Sequence, residues 1–494
     1  MTTKFPDIEG FRELNRPSRI EADLYDVEID GEVPSELHGT YYRVGPDPQY
    51  PPRNGHDIFL NGDGAVSMFR FGGGHIDFRM RYVRTEKFRL ERKARAALYG
   101  FYRNPYTDDP RVCGMDRGTA NTNVVWHGGK LLALKEDARP MELDPYTLRT
   151  LGPWAFHGAL QSLTFTAHPK ADPQTGELVF FGYEAKGLTT PDIAFGTIDK
   201  EGRITREDWI TAPYTSMVHD FAVTERHIVF PVFPTTTDLD RLKAGGPHWA
   251  WDPGKPTFIG ILPRDGDVRD LRWFVGPACW SYHVINAVTE GEKVIVDLCL
   301  SQAQSFPFIP IATGEPFDFR AAAARPTRFV FDLSDPDDKF EQIPLSEGTS
   351  EMPRVDDRYE MSAYRYGYLG GVDFTRPPLP EAGPVGGGFT HIERLDTHTG
   401  LRERCYFGDG ASVQEPQFVP RSPDAPEGDG YLLAVVNRAA EHRSDLVVVD
   451  AQRIADGPVA TAMLPIRLRP AFHGNWIPGS SLSVSTDTAD ESWR

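Results

Sequence analysis

Short apolar runs rich in Val, Ile, Phe and Tyr follow one another along almost the whole chain, each broken by turn residues. Residues 123–135 (NVVWHGGKLLALK) read as strand, tight Gly-Gly turn and strand, and 141–152 (MELDPYTLRTLG) as a hairpin turning on Asp-Pro. The pattern returns at 168–184, 193–205, 221–233, 284–300, 327–345, 391–407 and 431–454. Helical spacing is scarce: apolar positions recur at that period around 88–100, and a second short helix is predicted at 237–243. Hairpin after hairpin predicts an all-β fold, whether sandwich, barrel or propeller. A unit of four strands per roughly 45–50 residues fits the length with about seven blades, although no clean sequence repeat marks them. No Pro/Ser linker or composition shift divides the chain, so 1–494 reads as a single domain with long loop insertions at 234–256 and 372–390.

Composition narrows the function without naming it. With 40% hydrophobic and 25% charged residues, the 494-residue chain is an ordinary globular one. A net charge of −18 argues against a nucleic-acid partner, since no wide face would neutralise phosphates. The start, MTTKFPDIEG, lacks a basic segment followed by an apolar run, so it does not read as a secretory signal. No stretch approaches the ~18 consecutive apolar residues of a transmembrane helix. Cys113, Cys279, Cys299 and Cys405 are far apart and form no C-x-x-C, which suggests reduced structural thiols and a cytoplasmic location.

The histidines carry the candidate chemistry. Of 14, eight (His38, His56, His75, His127, His227, His391, His398 and His442) sit in turns or beside charged neighbours and read as surface or turn residues; His157 and His248, beside aromatics, are ambiguous. His168 (FTAHPK), His219 (SMVHDF), His283 (CWSYHVIN) and His473 (RPAFHGNW) differ, each standing at the edge of an apolar-aromatic run. Any one of them alone reads as a hydrogen-bonded core histidine. Together they match a propeller, whose innermost strands converge on the axis and can bring imidazoles distant in sequence to one ion.

Several longer blocks carry a resemblance. GTYYRVGPDPQY (39–50), FLNGDGAVSMFRF (59–71), YRNPYTDDPRV (102–112), TANTNVVWHGGKLLALKE (119–136), FTAHPKADPQTGELVFFGY (165–183), MVHDFAVTERHIVFPVFP (217–234), EMPRVDDRYEMSAYRYGY (351–368), EPQFVPR (415–421) and FHGNW (472–476) occur in order along nearly the entire chain. In these blocks it resembles the carotenoid cleavage oxygenases, and among them the lignostilbene dioxygenase branch. The resemblance implies a seven-bladed β-propeller with a helical and loop cap over a mononuclear Fe(II) held by His168, His219, His283 and His473. It also implies carboxylates hydrogen-bonded to three of those imidazoles, which fall on Glu136, Glu351 and Glu415. Such carboxylates fix the histidine tautomer and strengthen the ligand.

The chemistry is coherent. Four neutral imidazoles suit Fe(II) and leave positions for O₂ and water. No carboxylate joins them, so a 2-oxoglutarate requirement is not expected; zinc or a structural metal stays open on ligand type. The resemblance further places a Tyr and a Lys that engage a substrate 4-hydroxyl on Tyr102 and Lys135, with Phe59 and Phe306 as aromatic walls and Thr122 beside the sixth metal position. A phenol that gives up its proton pushes electron density into a conjugated C=C and readies it for oxygen. The expected function is cleavage of the central double bond of 4-hydroxystilbenes (lignostilbene or resveratrol-like compounds) with O₂ to two aromatic aldehydes. The alternatives are an apocarotenoid oxygenase with an apolar tunnel and a non-enzymatic propeller. FPFIPI (306–311) reads as entrance, homodimer contact or membrane lip.

Overall fold

The computed structural model describes residues 4–376 and 388–482. Seven antiparallel sheets of four to six strands form the seven blades of a propeller, and a two-stranded ribbon stands apart from them. Blades 2 to 6 are each contiguous in sequence, spanning 123–153, 170–211, 222–276, 280–344 and 349–406. The first and last blades are shared between the two ends of the chain. In blade 1 the late strand Gly474–Pro478 adds itself to the early strand Gly39–Pro46. In blade 7 the early strand Glu28–Gly31 covers the outer edge of Pro458–Leu464. Both closures pair residues more than 400 positions apart, so the ring leaves no open seam for another chain to extend.

Burial depends on position within a blade. Middle strands are buried on both faces because neighbouring blades stack upon them, and they read as continuous apolar runs: every residue of Leu178–Tyr183 (LVFFGY) is buried. Outermost strands such as Glu341–Pro344 face water. The core is therefore a ring of inter-blade layers. One joins Tyr41, Phe69 and Phe78 of blade 1 to Leu433, Val435 and Leu446 of blade 7; another joins Leu132 and Leu134 of blade 2 to Phe165 and Phe180 at blade 3.

The helix predicted around 88–100 lies earlier, at Glu86–Ala94. Thr85 caps its start by accepting from the Phe88 N–H, and Arg95 ends it by taking a left-handed backbone (φ 53°). Lys87 fastens it through 3.0 Å ion pairs to Asp63 and Glu91. The predicted 237–243 helix is Leu239–Lys243. It lies inside the 234–256 insertion, which forms the ribbon Thr235–Thr236 with Ala250–Trp251. Of the 372–390 insertion, 377–387 lies outside the described residues.

Three segments interlock as a cap at one end of the propeller. Asn104 donates to the carbonyls of Leu242 (3.0 Å) and Gly246 (2.7 Å), and the Trp251 N–H donates to the Pro310 carbonyl (2.9 Å). Among the described residues no helix is long and apolar enough to cross a membrane.

Candidate active site

Each of the four histidines stands where an innermost strand reaches the axis. His168 precedes Lys170–Ala171, His219 precedes Ala222–Val223 and His473 precedes Gly474–Pro478. His283 lies within Trp280–Glu290, where the register against Lys293–Ser301 slips between Ser281 and Val284; the irregularity re-aims its side chain. The His473 N–H donates to the Thr122 carbonyl (3.2 Å). Gly474 is required beside it, since a Cβ there would lie 2.6 Å from the Tyr42 carbonyl oxygen.

The candidate donor atoms of the four imidazoles lie within 4.8 Å of one another. The Nε2 atoms of His168 and His219 are 3.1 Å apart. Behind three of the rings stand carboxylates: His219 Nδ1 to Glu136 at 2.6 Å, His283 Nδ1 to Glu351 at 2.5 Å, and His473 Nδ1 to Glu415 at 2.8 Å. A carboxylate can only accept, so each of these Nδ1 atoms carries the proton and each Nε2 offers a lone pair to the centre. The Nε2 of His283 is buried with no hydrogen-bond partner. Converging lone pairs and an orphaned buried nitrogen are costly by themselves and are satisfied together by one cation. The residues fit a metal.

Electrostatics favour neutral rings at His168 and His473. Burial drives His168 well below the ordinary histidine value, helped by the other three imidazoles. Burial also lowers His473 against the pull of Glu415. For His283, burial is outweighed by Glu351, and the net shift is upward. Burial would raise Glu136, but His219, Lys135 and Arg103 outweigh it and bring it down to about 2, so this carboxylate is ionised.

The faces of the cluster differ. Toward the cap lie aromatics: Tyr282 packs on His219 (ring centres 5.2 Å apart) and on Phe306 (4.3 Å), Phe306 stacks on Phe308 (4.9 Å), and Phe308 meets Phe59, which touches Phe472. Tyr102 and Lys135 are both buried, with the Lys135 amino nitrogen 4.7 Å from the Tyr102 ring centre and 3.7 Å from Asp137. The Tyr102 hydroxyl donates a long 3.5 Å bond to Glu136 Oε1. Burial and the Glu136 charge raise its pKa well above the ordinary tyrosine value, against Arg103, so it stays a donor. Beyond Tyr102, a cavity of about 410 Å³ is lined by Leu60, Met217, His248, Trp249 and Phe308. Away from the cap, a second cavity of about 250 Å³ touches His168, His283 and His473 and is lined by Lys170, Asp220, Arg354, Asp357 and Glu360.

The structure thus brings His168, His219, His283 and His473 together with Glu136, Glu351 and Glu415, and sets Tyr102, Lys135, Phe59 and Phe306 on the cap side. Thr122 meets the cluster through its carbonyl, while its hydroxyl donates to Asn121 (3.0 Å). Phe306 and Phe308 of FPFIPI turn inward onto Tyr282 and Phe59. Two histidines expected at turns or the surface are buried instead: His227 bonds Thr289 (3.0 Å), and His391, in a strand, contacts Thr390 and Glu393. Alternation within their strands hid this. His248 is buried and bonded to Glu184 (3.1 Å).

The comparisons with known proteins agree with this geometry. The model of the retinal pigment epithelial membrane protein family, the carotenoid cleavage oxygenases, matches residues 15–478. The chain belongs to this family. It is therefore an oxygenase of that family. It is 47% identical over 462 residues to an isoeugenol monooxygenase of Pseudomonas nitroreducens, covering 94% of this chain and 96% of the relative. It is 45% identical over 487 residues to lignostilbene-α,β-dioxygenase isozyme III of Sphingomonas paucimobilis, covering 97% and 99%. The crystal structure of Pseudomonas brassicacearum lignostilbene dioxygenase superposes with a TM-score of 0.94 at 45% identity, over 97% of this chain and 100% of that one.

Some residues of the oxygenase site escaped the sequence reading. Arg103 is buried between Glu184, Tyr183 (2.6 Å), Glu136 (3.8 Å) and Asp137 (3.8 Å). Its neighbour Tyr102 was the available signal. Tyr282 and Phe308 adjoin His283 and Phe306 in sequence, and adjacency to a candidate residue would have flagged both.

Proposed function

We propose that this oxygenase cleaves the central C=C bond of phenolic 4-hydroxystilbenes with O₂, giving two aromatic aldehydes, and that its metal is Fe(II) held by His168, His219, His283 and His473. The observation that carries this reading is the link from the Tyr102 hydroxyl to Glu136, the carboxylate behind His219, with Lys135 against the same ring. The phenol-binding pair and the metal site thus share one carboxylate. Fe(II) bound to the four imidazoles would supply activation of dioxygen.

The chain's own residues do the rest. Tyr102 and Lys135 receive the substrate 4-hydroxyl, and the phenol passes its proton to the Tyr102 oxygen as Tyr102 passes its own to the Glu136 carboxylate. The phenolate electron pair then enriches the conjugated double bond. Phe59 and Phe306 hold the rings flat and exclude water. Both oxygen atoms of O₂ end in the two aldehydes, so no reductant is consumed.

A second reading is a shorter phenolic propene of the isoeugenol kind, favoured by the 47% identity to an enzyme named for that substrate. The same 4-hydroxyl contacts would serve it. The apocarotenoid alternative has less support, because the relatives at 45–47% identity are named for phenolic compounds. The test is aerobic incubation of the ferrous-loaded protein with 4-hydroxystilbenes, their 4-methoxy analogues, isoeugenol and an apocarotenal. Aldehydes from the hydroxystilbenes alone or at highest kcat/KM support the proposal, and preference for the apocarotenal sinks it.

A further inference from the structure

Inner strands run through the metal site, so residues just downstream of each histidine lie on the far side from the cap. Lys170 comes after His168, Asp220 after His219 and Asn475 after His473; all three line the 250 Å³ cavity. Its charged groups grade from open to buried. The Asp357 side chain is 54% exposed, Glu360 is half-buried, and Asp220 and Glu415 are buried. Most are already paired: Asp220 with Lys170 (3.0 Å), Glu415 with His473, and Asp357 with Arg354 (3.4 Å). Glu360 stands apart. Among the described residues its carboxylate makes no hydrogen bond or ion pair. Burial raises it to about 7, with Lys170 opposing and Asp357 adding to the rise, so a cation alongside would relieve it.

On the cap side the cluster is walled mainly by Phe59, Phe306, Phe308 and Tyr282, with the Lys135 amino group set against Tyr102, and stripping an ion of water against aromatic walls is costly. Oxygen ligands can instead replace its waters one at a time. We propose that the polar cavity is the route by which a divalent cation reaches and leaves the four histidines, with Asp357 and Glu360 as transient oxygen ligands along it. The inference rests on the reading of the histidines as a metal site. It assigns the two faces separate traffic: substrate from the cap side, metal from the other.

Metal-free protein mixed with Co(II), monitored by its ligand-field absorption, and the loaded protein challenged with EDTA give the rates of entry and exit. Glu360→Gln with Asp357→Asn is expected to slow both by about 10-fold, the scale on which charge-lined clefts alter ion encounter. Equilibrium occupancy and turnover per bound iron stay unchanged. Ala171→Phe, which adds bulk to the cavity wall, slows both rates as well. Phe308→Trp on the cap side leaves both rates alone. Unchanged rates in the double variant overturn the proposal, as does slower entry with normal exit, which would make the acids a distant field rather than a path. Slowing by Phe308→Trp would place the route on the cap side. Wild-type protein that takes up no Co(II) would instead defeat the metal-site reading itself.

Discussion

Residues just before the histidines and residues just after them serve opposite purposes. Tyr282, Phe472 and Met217 stand one or two positions upstream of His283, His473 and His219, and all face the apolar cap side. Lys170, Asp220 and Asn475, one or two positions downstream, line the polar cavity. The inner strands pass the histidine cluster like spokes pierced by an axle, so an offset of two residues changes which chamber a side chain lines. The same inner strands therefore line an aromatic chamber on one side of the histidines and a polar one on the other. Glu136, Glu351 and Glu415 stand behind the rings, Glu136 reaching Tyr102 on the cap side and Glu415 lining the polar cavity.

The sharpest way to break the comparison is at the boundary itself. His283→Ala or His473→Ala is expected to remove the metal and lower turnover by more than about 10³-fold, as loss of a Lewis-acid centre implies; metal analysis and O₂ uptake check it. Full iron content and activity in either variant would end the four-histidine reading. Next comes the cap side. Lys135→Met should lower kcat/KM for 4-hydroxystilbenes by about 10²–10⁴-fold, the range of proton-transfer catalysis, with iron content unchanged. Normal cleavage by that variant would remove phenol activation from the mechanism. Between the chambers, Glu351→Gln or Glu415→Gln should weaken metal affinity about 10–100-fold, read by competition with a chelator.

Smaller effects separate wall from chemistry. Phe306→Ala, on a half-buried ring, is expected to raise KM for a stilbene by about 3–10-fold while metal affinity holds. On the polar side, pH provides the readout. The Glu360 carboxyl is raised from 4.5 to about 7, so the metal-free folded state binds a proton that the unfolded chain has released. Its contribution is neutral below the unfolded value and increasingly destabilising as pH rises from about 4.5 through 7. Glu360→Gln cannot ionise. The variant's melting temperature should match wild type at pH 4 and exceed it by about 2–4 °C at pH 8. Equal melting curves at both pH values would mean that Glu360 is not held in a costly environment.

Much of this was legible in the chain. Alternation, turn residues and the scarcity of helical spacing set an all-β hairpin architecture, and the ordered motif blocks singled out four histidines and three glutamates. Hydrophobic patterning is local, which is why it succeeded there. Pattern also implied surface positions for His227 and His391, and it failed because strands inside a propeller are buried on both faces. Blade closure was not legible, since Glu28–Gly31 and Gly474–Pro478 find partners more than 400 residues away.

The sequence by itself determined which side chains were available: imidazoles without competing thiolates, carboxylates in nearby blocks, and a Tyr and Lys in the right motifs. Only the tertiary structure decided which of them meet. Register slips at His283 and at Glu351, the close approach at Gly474, and the direction in which each inner strand crosses the axis set the distances and divide the two chambers. Those are properties of how seven sheets pack around a common axis. No stretch of one strand contains them, because each contact joins residues that only ring closure brings together.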